Sequence, residues 1–208
     1  GVAALAHEDY TQRFRADATD ESSRLAAALD ELRIAAGERQ RAMRDEIKPF
    51  IRSYFNTIPS LLNMEILSFW EHFNGVGGWN KTHETGYFLH QTRLMLVQER
   101  GDELWLAPFV TRNWLKQGMR VGIKRAPTRF GHVGYRIDSS VNDGHIDVVI
   151  DTPTRDPVAR LVVRLRHPDG RPMQRVTVND VGHGDFDAAA EVIRLKTGTG
   201  QLHVRAYY

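Results

Sequence analysis

The 208-residue chain contains no cysteine, which excludes a disulfide framework, a thiolate metal site and a cysteine nucleophile. Long apolar runs are missing as well. No stretch approaches the roughly 20 apolar residues that a membrane-crossing helix needs, and the opening GVAALAHEDYTQRF is charged within its first ten residues, unlike a signal peptide. Charge of one sign is not in excess: 28 Lys and Arg face 26 Asp and Glu, a formal net of +2. With no RNA- or DNA-binding motif beside them, these bases give no argument for nucleic acid as a partner. Internal repeats, low-complexity tracts and flexible linkers are absent from the sequence. The first residue is Gly rather than Met, which reads as a processed chain or as a piece of something longer.

What is present is enough apolar residue, 41%, for a sizeable core, arranged with a period that changes once. Up to about residue 100 the period is helical. Leu25, Leu29, Leu32 and Ala36 recur at spacings of three and four, after a capping Thr19 or Asp20 and before Gly37. A charged helix follows with Met43, Ile47, Ile51 and Tyr54 on one face, where Pro49 is expected to bend or break it. SLLNMEILSFWEHF then reads as a third helix, with Leu62, Ile66, Phe69 and Phe73 in a stripe. GYFLHQTRLMLV, apolar nearly all round, reads as a helix buried between other elements.

From Asp102 onward the period is two. Ile146, Val148 and Ile150 alternate with His145, Asp147 and Asp151, and Leu202, Val204 and Ala206 alternate with His203, Arg205 and Tyr207. Similar runs surround Leu104, Val121, Tyr135, Val163, Val176 and Ile193, separated by the turn signals NDG, PDG and GTG. The expectation is an α+β chain: a helical segment over 1–100, then an antiparallel β-sandwich of about eight strands over 101–208. The densest basic stretch, RLVVRLRHPDGRPMQR, interleaves arginines with Leu161, Val163 and Leu165, as a strand with one solvated face does.

Chemistry concentrates in GGWNKTHETGY, residues 77–87. HETGY is not the zinc-protease signature, because Tyr87 stands where the second histidine is required. No GxSxG elbow supports a serine nucleophile, and the glycines of NGVGGW follow no phosphate-loop spacing. The acids near Gly182 and Gly184, Asp185 and Asp187, have turn chemistry rather than a calcium-loop spacing. The sequence therefore implies no metal and no cofactor. Two readings of the cluster remain. In one, Asn80 or Thr82 caps a helix and Glu84 complements its first-turn N–H groups, with Trp79 as packing. In the other, a loop before a helix exposes these groups to a cleft, Glu84 works as a general acid or base, and Trp79 is a platform for a sugar face. Trp105 and Trp114 read as packing residues, and the scattered His132, His145, His167, His183 and His203 show no ligand spacing.

Three pieces, RLMLVQERGDELWL, NWLKQGMRVGIKRAPT and FGHVGYRIDS, resemble the junction in large bacterial six-hairpin (α/α)6-barrel glycoside hydrolases, the α-L-rhamnosidase-like class, where the last barrel helices pass into a C-terminal β-sandwich. The similarity covers roughly residues 60–208. It implies that the chain is the C-terminal part of such an enzyme, its sandwich supporting a catalytic barrel of which only the last helices are here, and that this part is inactive alone. It also implies a carbohydrate partner, a second partner in the missing N-terminal barrel portion, and a periplasmic or secreted location. The class hydrolyses glycosidic bonds with two carboxylates. Glu84 is the first candidate for a barrel-mouth carboxylate and Glu71 the second; Trp79, Asn80, Lys81, His83 and Tyr87 would contact sugar. The alternatives are a non-catalytic structural or interaction domain, with Glu84 buried and capped, and a carbohydrate-binding module. The module requires a row of exposed aromatics, where the strands here place Arg, Asp, His and Lys.

Overall fold

Val133, Tyr135 and Ile137, spaced by two, all point into one core, and the strand that carries them is second from one edge of a six-stranded sheet. The computed structural model describes residues 47–72, 75–79, 82–155, 158, 160–196, 198 and 200–208. The helix expected over residues 20–36 lies outside them. By its internal contacts the chain divides into two units, Gly1–Gln91 and Thr92–Tyr208. The architecture is α+β and, among the described residues, mostly antiparallel strand.

In the first unit, helix α1 (Ile47–Leu61) includes Pro49; Met43 of the expected stripe lies outside the described residues. Pro59 lies inside the helix, two residues from its C-terminal end, where it removes the helix bond to the carbonyl four residues back. The stripe beyond it is not a helix. Leu62–Asn63 forms β1 and Ser68–His72 forms β2, paired antiparallel with Leu62 opposite Phe69. The reason is local: the Asn63 side chain accepts the Glu65 N–H at 3.0 Å, an Asx turn that reverses the chain, and Leu67 takes a left-handed φ of 53° to close it. Strand β3 (Val76–Trp79) completes a three-stranded sheet in the order β1-β2-β3. Helix α2 (Thr82–Leu96) follows. Tyr54 of α1 stacks on Phe88 of α2 at 5.1 Å between ring centroids, and Phe69 of β2 meets the same Phe88 at 4.9 Å. Aromatic contacts of this kind hold two helices and a hairpin together at small cost in chain entropy.

The second unit is a two-sheet sandwich. Its strands are β4 (Val97–Arg100), β5 (Glu103–Leu106), β6 (Arg120–Thr128), β7 (Gly131–Ser140), β8 (His145–Asp151), β9 (Arg160–Arg164), β10 (Arg175–Val178), β11 (Val181–His183), β12 (Phe186–Asp187), β13 (Val192–Leu195) and β14 (Gln201–Tyr207). One sheet has the order β11-β10-β14-β8-β7-β6, the other β12-β13-β9-β5-β4. All expected strands are present, and pairing is antiparallel except between β5 and β9, where Leu104 lies beside Leu161 in parallel. The inner faces share one core: Leu104, Leu106, Leu161, Val163 and Ile193 from the smaller sheet, Ile137, Ile146, Val148, Ile150 and Val204 from the larger. Strand structure begins already at Val97, inside the stretch expected to be helical.

Two arginines of the basic stretch, one at the end of β9 and one two residues beyond it, depart from expectation. Arg164 and Arg166 are buried rather than solvated, because the segment after β5 lies against that side of the strand. The Arg164 guanidinium donates to the Pro108 carbonyl at 3.0 Å, and Arg166 donates to the Val110 carbonyl. The alternation was right and the solvation was not, since a strand's second face is polar to solvent only where nothing covers it.

Candidate functional site

Strand β2 places Phe69 inward and carries Glu71 two residues on, at the same side of the backbone. The Glu71 carboxylate accepts the backbone N–H of Gly78 at 3.0 Å, across the β2–β3 turn. Gly77 makes this possible. Its φ is +89°, and a Cβ there would lie 2.9 Å from the Glu71 Cβ and 3.0 Å from Oε2, so any other residue is excluded by both backbone conformation and space. Gly75, also at positive φ, packs against the indole of Trp70. The glycines of NGVGGW thus form a tight turn around a carboxylate.

Trp79 ends β3, with its backbone opposite Trp70. Asn80 and Lys81 lie outside the described residues. Three of the expected site residues, His83, Glu84 and Tyr87, share the first turns of α2. The His83 and Tyr87 rings meet edge-on at 4.6 Å between centroids, as residues four apart on a helix do. Glu84 faces inward and is 8% exposed; its Oε1 lies 3.2 Å from the His83 Nδ1, and its Oε2 has no hydrogen-bond partner among the described residues. A capping carboxylate would instead accept a first-turn N–H. Glu71 takes part in a separate arrangement, anchored to its own hairpin.

Gln91 was not singled out by the sequence. It is buried on the same helical face as Glu84, seven residues on, and its Oε1 also has no partner among the described residues. Spacing was the available signal: positions 84, 88, 91 and 95 fall on one side of an α-helix. The same helix leaves Leu89 63% exposed. It therefore buries two polar residues and exposes an apolar one, contrary to the all-round burial expected of GYFLHQTRLMLV.

In the second unit, strand register assembles charges on the outer face of the six-stranded sheet. Asp138 of β7 and Asp147 of β8 are directly opposite, and Asp147 is opposite Arg205 of β14. Arg205 Nε bonds Asp147 at 2.7 Å, and the Nε2 atoms of His145 and His203 lie 3.3 and 3.5 Å from the same carboxylate. Burial alone would raise the Asp138 pKa, but hydrogen bonds from Arg120 and Arg136 outweigh it and hold the carboxyl below its ordinary value. Asp147 raises the Arg205 guanidinium further above its already high pKa. Asp187 is also lowered, chiefly by the Ala190 N–H, in the Asx turn its spacing implied. No group of three or more His, Asp or Glu among the described residues is placed to hold a metal ion.

No family model matches the chain. No curated protein matches it. Among solved structures it is similar to an α-L-rhamnosidase from Dictyoglumus thermophilum, at 12% identity and a TM-score of 0.40, over 68% of this chain and 16% of that one. It is similar also to a structure described as a glycoside hydrolase, at 11% identity and a TM-score of 0.39, over 96% of this chain and 34% of that one. The chain thus spans well under half the length of either.

Proposed function

We propose that this chain is the C-terminal portion of a glycoside hydrolase, in which the β-sandwich supports a catalytic barrel and residues 1–100 carry the last barrel helices. The observation that carries this reading is Glu84, a carboxylate held out of water whose Oε2 has no partner among the described residues. An unpaired buried acceptor costs about 1–3 kcal/mol, a cost that persists at sites where the group has work to do.

In the proposed chemistry, Glu84 acts at the barrel mouth. As a general acid it gives its proton to the glycosidic oxygen as the bond from the anomeric carbon breaks. A second carboxylate takes a proton from the water that adds to that carbon. That second group belongs to the barrel portion outside this chain; Glu71 is the second candidate here for the same role as Glu84, although its bond to Gly78 also explains it as a turn anchor. His83, beside Glu84, and Tyr87, against His83, have the geometry of groups that orient a hydroxyl-rich ligand. Trp79, Asn80 and Lys81 complete the proposed contacts.

A second reading, a structural or interaction domain without a sugar site, draws on two facts. Glu84 is buried, as that reading requires, and the β1–β2 turn exposes Met64 and Leu67, each at 73%. Turnover separates the two. The complete open reading frame, wild type and Glu84→Gln, is assayed against aryl glycosides and polysaccharides. The expected result is a loss of about a hundredfold or more in kcat in the folded variant. Full activity in Glu84→Gln removes the acid–base role, and no activity on any sugar in either form favours the interaction domain.

A further inference from the structure

The outer face of the six-stranded sheet is not flat. Between Ile123 and Ala126 the β6–β7 register shifts, and Arg125 in that bulge takes a left-handed φ of 51°. Bulges of this kind re-aim side chains at functional edges, and a non-glycine residue at positive φ persists only where its surroundings impose it. Beside the bulge lies a groove of about 350 Å³, within the size range of small-ligand sites.

Two glycines of the β6–β7 pair lie where a side chain would crowd the neighbouring strand. Gly122 stands where a Cβ would come 2.3 Å from the Tyr135 carbonyl oxygen, and Gly134 where a Cβ would come 3.2 Å from Asp151 Oδ2. Gly122 is opposite Arg136, and Gly134 is opposite Asp151. Val149, opposite Arg136 on β8, supplies an apolar patch in the lining. The rim is polar and asymmetric. On the β6–β7 side stand Arg120, Lys124 and Arg136. Asp138 neutralises part of this charge, bonded to Arg120 at 2.5 Å and to Arg136 at 2.6 Å, while Lys124 has no ion-pair partner among the described residues. On the β8–β14 side Asp151 accepts from the Gln201 amide at 3.0 Å.

Adjacent strands are about 4.8 Å apart, so β6 and β8 lie roughly 10 Å from each other. The groove therefore offers an unneutralised ammonium at one side and a carboxylate–amide pair at the other, over an apolar floor. A compact dianion such as phosphate matches the first and is repelled by the second. A ligand with a single carboxylate at one end and hydroxyl donors at the other matches both, since an ionised carboxylate accepts hydroxyls and Gln201 accepts and donates.

We propose that this groove binds an acidic saccharide, a short oligosaccharide bearing a uronic acid carboxylate on Lys124 and hydroxyls on Asp151 and Gln201. The choice of a saccharide among hydroxylated carboxylates rests on the glycoside hydrolase reading; the charge asymmetry does not. This mode of binding uses ion pairing and hydrogen bonds rather than a row of aromatics.

The test is titration calorimetry on the 208-residue chain with a uronic acid trisaccharide, the neutral trisaccharide of the same linkage, and inorganic phosphate. The Lys124→Ala and Asp151→Asn variants are titrated in parallel, with thermal melts to confirm folding. The expected result is binding of the acidic trisaccharide at least tenfold tighter than of either control, weakened at least tenfold by each substitution with the melt unchanged. Equal binding of phosphate, or affinity indifferent to Lys124→Ala, overturns the proposal, as does no binding of the acidic trisaccharide. Because no turnover is measured, failure here leaves the role of Glu84 standing, and binding without any glycosidase activity in the complete protein leaves the groove standing.

Discussion

At Glu84 and His167 burial and hydrogen bonding come apart, and both residues are costly for that reason. His167 is 2% exposed. Its Nδ1 accepts the Asp169 N–H at 3.1 Å, and its Nε2 has no partner among the described residues. Burial, the largest cause, holds its pKa below the ordinary 6.5, with the Arg112 charge in the same direction. A folded-state pKa lowered in this way favours the neutral ring. The stability it confers is fully present above the unfolded value of about 6.5 and is lost as pH falls through the folded one. Melting at pH 7.5 and pH 5.5 should therefore show a larger drop for wild type than for His167→Gln. Equal drops would mean that other groups account for the acid sensitivity. Beside it, Arg112 forms a two-pronged pair with Glu191, at 2.7 and 3.0 Å, although Glu191 sits at a φ of +59°. That ion pair and the Leu165 N–H bonded to the Glu191 carbonyl hold the residue in a conformation it would not choose alone.

At the scale of elements, β9 shows how one strand serves two environments. Leu161 and Val163 enter the shared core, while Arg164, and Arg166 just past the strand end, donate to carbonyls of the segment after β5. That segment has few strand partners of its own, and the guanidinium groups give its carbonyls donors they otherwise lack. Truncating Arg166 to Ala should cost about 2–4 kcal/mol, from an unpaired buried carbonyl and lost packing of the stem. Arg160→Ala, at the exposed start of the strand, should change stability by no more than about 0.5 kcal/mol. Urea midpoints of the two variants check this directly; similar values would mean that the buried arginines are dispensable. The β10–β11 hairpin is simpler. Asn179 and Asp180, both at positive φ, form the two-residue turn that matches strand twist, and these residue types tolerate that conformation best.

For the whole molecule, several strand pairings of the sandwich join residues far apart in sequence. β14 pairs with β8 across some fifty residues, and β5 pairs with β9 in parallel. Ordering such pairs requires closing long loops before their contacts form, so folding should be slow. Stopped-flow refolding of the chain from urea, followed by tryptophan fluorescence, is expected to show its main phase in about milliseconds to seconds. A dominant microsecond phase would show that local structure, not strand pairing, sets the rate.

Alternation and turn residues alone determined the strand-rich half: the sides of β8 and β14 that enter the core are those the sequence marks, because a period of two is a property of one strand. Helices α1 and α2 were legible for the same reason, and so was the Asx turn at Asp187. The helix expected at Leu62–Phe73 was not one, since its stripe of Leu62, Ile66 and Phe69 fits a hairpin once Asn63 reverses the chain. Within the candidate site, the sequence identified Glu84 and its neighbours but not its burial, nor Gln91. Tertiary structure decided those, along with the bonding of Arg164 and Arg166, the gathering of His145, His203 and Arg205 around Asp147, and the groove beside Gly122. Each depends on which distant strand or segment lies alongside, and that is set by the summed burial of the entire core rather than by any local pattern of residues.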